Sequence, residues 1–360
     1  MAWKARAWRR RSFLAASAAG AGFSCALLLL AYNPIQDQSA SGLTVHAHWP
    51  NAAITWELNP SIGPNVDTSG GTSASTAIQT AWSVWKAPYP NGQVLTAIAI
   101  TQGPNTTLTD PNNADCQNII SFVPSSSVSF PTGVIAFTEV TTHVVSPGET
   151  SQCGAVNSTS APVSFVTDAD VVFNPHENFS TATPSPAGDF DVQSVGTHEF
   201  GHALGLDHSG LGHAIMFPFG DAGEGQQRNL AVDDVAGMAF LYPNSSFEAA
   251  TGILSGVIAL HGSGVFAAHV VAVDAQTGAV VVDRLTDPDG TFRILGVPPG
   301  SYNVFALPLA RDSNSGLYVL DNFSGWTCGY GENSSPCCDP ATAGCSGKLQ
   351  NPTGYTGKFY

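Results

Sequence analysis

The chain has 360 residues, 43% of them hydrophobic and only 11% charged, with 37 Gly and 24 Pro. That composition excludes a disordered chain or a helical bundle and suits a loop-rich globular protein containing β-structure. A net charge of −15 excludes nucleic acid as a partner, because a phosphate binder needs a basic surface.

Residues 1–40 read as a targeting segment. Lys4, Arg6, Arg9, Arg10 and Arg11 form a basic start, and an apolar stretch of 20 residues follows from Phe13 to Tyr32. Arg10-Arg11-Ser12-Phe13-Leu14 resembles the twin-arginine export signal, and an ordinary secretory signal reads equally well. Both imply a protein exported to the outside, with cleavage near Ala31 or Ala40. An uncleaved N-terminal membrane anchor is the alternative. Without residues 1–40 the chain keeps 7 basic and 26 acidic residues, a net −19. Such a surface does not fit an anionic membrane. Cys25 lies in the apolar stretch. The other six cysteines are an even number, as expected of disulfides in an exported chain: Cys116 with Cys153, and two bridges among Cys328, Cys337, Cys338 and Cys345.

Residues 52–58 predict a strand ending at Asn59-Pro60. Ile78, Ala81, Trp82 and Trp85 recur at helical spacing, so residues 75–86 predict an amphipathic helix. Short apolar runs at Val94–Thr101, Ile119–Val123, Val134–Thr138, Val163–Val166 and Asp168–Asn174 predict strands. Asp191 is placed to cap a helix from Val192 that Gly205 would stop, and a further helix is expected over Asp233–Tyr242. Beyond Ser246 the texture changes to β-branched runs with turns at Gln276-Thr277-Gly278 and Asp287-Pro288-Asp289-Gly290, which predict a small antiparallel β-sandwich over 251–310. Residues 311–360 form a Cys-rich tail.

Residues 198–208 read His-Glu-Phe-Gly-His-Ala-Leu-Gly-Leu-Asp-His. On a helix His198 and His202 share one face and can reach one ion. Gly205 permits a positive-φ exit, so the chain can turn back and bring His208 as a third ligand. Three imidazoles leave a fourth zinc position for water, and zinc lowers the pKa of that water to about 7. Glu199, beside the first ligand, is placed as the general base.

The spacing H-E-x-x-H-x-x-G-x-x-H resembles the metzincin metallopeptidases, and Met216 in His213-Ala214-Ile215-Met216-Phe217-Pro218 matches their methionine turn. Ser209 after the third histidine, Pro218 at the position of an S1′ wall, and Leu230–Gly237 make the likeness closest to the matrixins, the matrix-metalloproteinase family. It covers about residues 41–245 and implies an α+β fold, a twisted mixed sheet with an active-site helix. It also implies one catalytic Zn2+ per chain and hydrolysis of peptide bonds in proteins. Residues 168–173 resemble the family's edge strand, which aligns peptide substrate. No cysteine stands between the targeting segment and the first strand, so latency through a propeptide thiolate is not expected. The stretch from Asn174 to Asp189 is short for the family's second-zinc and calcium loop. His46, His48, His143 and His176 read as ordinary histidines, and Asp110, Asn112, Asn113 and Asp115 as a turn; Ca2+ has no clear motif here. Residues 251–308 resemble carboxypeptidase-regulatory-like, prealbumin-type sandwiches, with Gly256-Val257, Asp289–Phe292 and Gly296–Tyr302 as the matching pieces. The competing function is a surface-binding protein in which the sandwich and tail do the work and the metzincin part is accessory.

Overall fold

A computed structural model describes residues 32–307 except 33, 113–114, 219, 224–227, 267 and 288, together with two short strand segments, Arg6–Trp8 and Lys358–Phe359. The expectations for the rest of residues 1–31 and for the tail, including its disulfides, lie outside the described residues.

A mixed sheet forms the first layer. Ala53–Leu58 lies parallel to Ala99–Gln102 on one side and to Asn118–Ser121 on the other. Asn118–Ser121 is parallel in turn to Val163–Phe173, which pairs antiparallel with Ala136–Val145. The two runs read as separate strands at 163–166 and 168–174 are one strand of 11 residues. Of the run at 94–101, only its end enters the strand Ala99–Gln102.

Val163–Phe173 corrects one expectation. It is an inner strand, flanked by Ala136–Val145 on one side and by Thr44–His48 and Asn118–Ser121 on the other. The edge reading rests on the resemblance of residues 168–173 to the family's edge strand, yet Asp168 and Asp170 are both buried and accept backbone N–H groups. Cys116 donates to Asp168, and Asn112 and Ile119 donate to Asp170. The outer antiparallel strand is Ala136–Val145, along which Arg6–Trp8 lies parallel at Phe137–Glu139.

Residues 34–40, inside the stretch set aside for targeting, belong to the fold. Gln36–Gln38 pairs with Thr44–His48, and Tyr32 and Ile35 are buried. The fold therefore starts before the strand at Ala53, the first one expected from the sequence.

Helix α1, Ala74–Ser83, starts where Ser73 accepts the Thr76 N–H, and it runs into a 3-10 turn at Val84–Lys86. Its buried Ala77, Ile78, Ala81 and Trp82 face helix α2, Val192–Ala203. Trp82 stacks between Trp56 of the sheet and Phe200 of α2, with centroids 5.6 and 4.0 Å away. Every α2 residue except Gln193 is buried. A helix enclosed on all sides carries little amphipathic signal, so its capping residues and motif identify it better than its periodicity. Helix α3, Val232–Leu241, packs between this layer and the C-terminal half.

The C-terminal strands are all antiparallel. Gly252–Val257 pairs with Thr291–Val297, while His269–Asp274 lies between Val280–Leu285 and Tyr302–Leu307. Their buried Val270, Val282 and Ile294 join one continuous core with Ala236, Met238 and Phe200. Cys116 and Cys153 form a disulfide that ties the loop before Asn118 to the loop after Val145. No helix among the described residues is long and apolar enough to cross a membrane.

Candidate metal centre

Helix α2 begins at Asp191, whose Oδ1 accepts the Ser194 N–H at 2.7 Å, and Arg228 pairs with the same carboxylate. It ends in a Schellman turn. The Leu206 N–H returns to the Gly201 carbonyl and the Gly205 N–H to that of His202, both at 2.9 Å, with Gly205 at φ +96°. A Cβ on residue 205 would lie 2.6 Å from the Ala47 carbonyl oxygen, so the turn excludes any side chain. Two further carbonyls at this helix end are capped from outside: Trp49 Nε1 donates to Ala203 and Tyr242 Oη to Leu204, each at 2.7 Å.

The reversal brings His208 to His198 and His202. The ring centroids are 4.8 Å apart for His198–His202 and for His202–His208, and 5.4 Å apart for His198–His208. One nitrogen from each lies within 4.8 Å of the others, and this is the one such group of three metal-capable residues among the described residues. His143, His176, His46 and His48 are not in it. His143 accepts the Gln152 N–H, and His46 packs edge-on against Phe240.

The Nδ1 atoms of the first two histidines are engaged behind the cluster. His198 Nδ1 lies 2.6 Å from the Ile215 carbonyl and His202 Nδ1 2.9 Å from that of Leu206. Each contact fixes a tautomer with a bare Nε2 facing its neighbour. Burial, followed by the other two histidines, holds the His198 pKa well below the usual imidazole value, so it stays neutral and ligand-competent.

Glu199 is fully buried beside the cluster. Its Oε2 accepts from Thr138 Oγ1 at 2.7 Å, and the same hydroxyl lies 2.9 Å from the Glu199 carbonyl. Oε1 has no hydrogen-bond partner among the described residues. Burial pushes this carboxyl up to about 8, against the lowering effect of the Thr138 hydroxyl.

The methionine turn is held from α3. Asp234 accepts the N–H groups of Ile215 (2.9 Å), Met216 (3.2 Å) and Ala231 (2.8 Å), and the Met216 carbonyl accepts the Ser209 N–H at 2.8 Å. Met216 packs on Gly201, where a Cβ would come within 2.1 Å of its sulfur and 2.8 Å of Trp85. Pro218 is buried and Phe217 half-buried just beyond. The sequence reading missed Thr138, Gly201 and Asp234, whose roles exist only through contacts made across the fold.

The donor set fits zinc. Two ligands at about 2.0–2.1 Å in tetrahedral geometry stand about 3.3 Å apart, and His198 Nε2 and His202 Nε2 are separated by 3.2 Å. The orphaned Oε1 of Glu199 is the kind of buried acceptor that a bound water would satisfy.

Residues 135–243 match the family model for matrixin. Among curated relatives, the chain is similar to metalloendoproteinase 5-MMP of Arabidopsis thaliana, 48% identical over 52 residues (14% of this chain, 14% of the relative). Metalloendoproteinase 2-MMP of the same plant is 37% identical over 91 residues (24% and 23%). Matrix metalloproteinase-25 of Homo sapiens is 39% identical over 75 residues (20% and 13%). The chain spans less than a quarter of the length of each of these relatives. The family implies a catalytic zinc, and the matched segment holds the three imidazoles, Glu199, Met216 and α3. Over residues 135–243 the chain is similar to the matrixins, and the three imidazoles that could hold a zinc ion lie within that stretch.

Proposed function

We propose that the protein is an exported zinc endopeptidase that cleaves peptide bonds in proteins. The observation that carries this reading is the convergence of three buried imidazoles beside a carboxylate with one free oxygen. His198, His202 and His208 are the ligands, and zinc, when bound, supplies a Lewis acid that makes water nucleophilic at neutral pH.

Glu199 is the base. Its Oε1 takes a proton from the attacking water and returns it to the leaving amine nitrogen, while Thr138 holds Oε2 still. Met216 and Asp234 keep the floor of the site in place. Peptide substrate takes the outer edge of Ala136–Val145, where Arg6–Trp8 lies in the full chain, so removal of the targeting segment frees that edge. An apolar substrate side chain sits by Phe217 and Pro218.

Cleavage near Ala31 rather than Ala40 suits the buried Tyr32 and Ile35. In this reading the strands of 251–310 share one core with the metal-binding part, and the tail at 311–360 follows them. Casein digestion with and without a zinc chelator tests it. Turnover unaffected by the chelator, or less than one zinc per chain, would sink the proposal.

A further inference from the structure

His208 lies past the end of α2, two residues beyond the bridge of Leu206 to Pro34 and with its N–H donated to Asp207 Oδ1, and the residues that follow it are held as well. Ser209 is 2% exposed and is gripped from three sides. Its N–H donates to Met216, and its hydroxyl lies 2.8 Å from Asp233 Oδ2 on α3. On the third side it lies 3.3 Å from Asp283 Oδ1, on the sandwich strand Val280–Leu285.

Asp283 is itself 3% exposed. Its Oδ2 stands 2.5 Å from His269 Nε2 on the adjacent strand, and its N–H donates to Asp233 Oδ1 at 3.3 Å. Gly210 is pressed flat on this pair: a Cβ there would lie 2.5 Å from Asp283 Oδ2 and 2.9 Å from His269 Nε2.

Two carboxylates thus converge on one hydroxyl that has a single proton to give. Such an arrangement is costly for a contact that only glues two layers together, since apolar side chains would do that at less desolvation cost. What it does well is fix direction, because each bond constrains the two residues behind His208.

We propose that the sandwich is a working part of the metal centre. Asp283, oriented by His269, is a positioning residue that fixes Ser209 and Gly210 and thereby delivers the His208 imidazole. The inference rests on the reading of His208 as the third zinc ligand.

The test uses the full chain and two probes: zinc affinity by competition with a chelating indicator, and the visible absorption of the protein loaded with cobalt(II). Asp283→Ala and Gly210→Ala are expected to bind zinc about tenfold more weakly, as loss of an outer-shell partner does, with an altered cobalt spectrum. Asp283→Asn keeps an acceptor for Ser209 and should recover part of the affinity. Val257→Ala, on an exposed sandwich position, should match the parent. Should Asp283→Ala fail to fold, Gly210→Ala and Asp283→Asn decide. Folded variants with parental zinc affinity and an unchanged cobalt spectrum, whatever their melting temperature, overturn the inference and leave the metal site standing. A parent chain that binds no zinc overturns both.

Discussion

Thr138 Oγ1 sits 2.7 Å from Glu199 Oε2, so a strand of the sheet orients a carboxylate on the helix beneath it while the other carboxylate oxygen stays open. Glu199→Gln should retain one zinc and lose about 10²–10⁴-fold in turnover, the usual contribution of a general base. Thr138→Val removes one hydrogen bond, about 1 kcal/mol, and should cost about fivefold. Metal analysis beside casein turnover checks both. A Glu199→Gln variant at parental rate would remove this residue from the chemistry.

Gly201 has no room for a methyl group between Met216 and Trp85. Gly201→Ala should destabilise the fold by about 1–3 kcal/mol through overpacking and lower zinc occupancy, because the turn between His198 and His202 must shift. Thermal melts with metal analysis report the two effects separately. Unchanged values for both would show that the helix and the methionine turn can part freely.

Burial, with Asp170 and Asp115 close by, pushes the Asp168 carboxyl from 3.8 up to about 8. The unfolded chain would release this proton near pH 4. Between pH 4 and pH 8 the folded state therefore binds more protons than the unfolded one, and stability from this residue falls as pH rises through that window. Asp168→Asn never ionises. Its melting temperature should gain on the parent steadily from pH 4 to pH 8, and a pH-independent difference would contradict the burial argument.

The Cys116–Cys153 bridge closes a loop with a sequence separation of 37. Replacing both residues by Ser should cost about 3–4 kcal/mol on the chain-entropy account. Urea unfolding of the variant measures it. A cost below 1 kcal/mol would mean that the hydrogen bonds of the 112–119 segment to Asp168 and Asp170 hold that segment unaided.

The metal cluster was legible because its geometry is local. Two histidines one helical turn apart and a glycine at the exit need only backbone rules to converge. The helices at 74–83 and 232–241 were legible for a similar reason, through spacing and end signals. What the sequence hid depends on partners far along the chain. Thr138 looks like any strand threonine until α2 packs below it. The inner position of residues 168–173 was hidden because nothing near Asp168 and Asp170 in the chain announces their backbone donors Asn112, Cys116 and Ile119. The folding of residues 34–40 was masked by the apolar stretch before them, which dominates any reading of that end.

The side chains of Ala236 and Ile294 belong to one unbroken core, although they lie on opposite sides of the connection at 244–251. A protease that nicks the chain at Asn244–Ser246 should therefore not release two fragments. The halves should elute together from a sizing column, melt in a single transition, and separate only in denaturant.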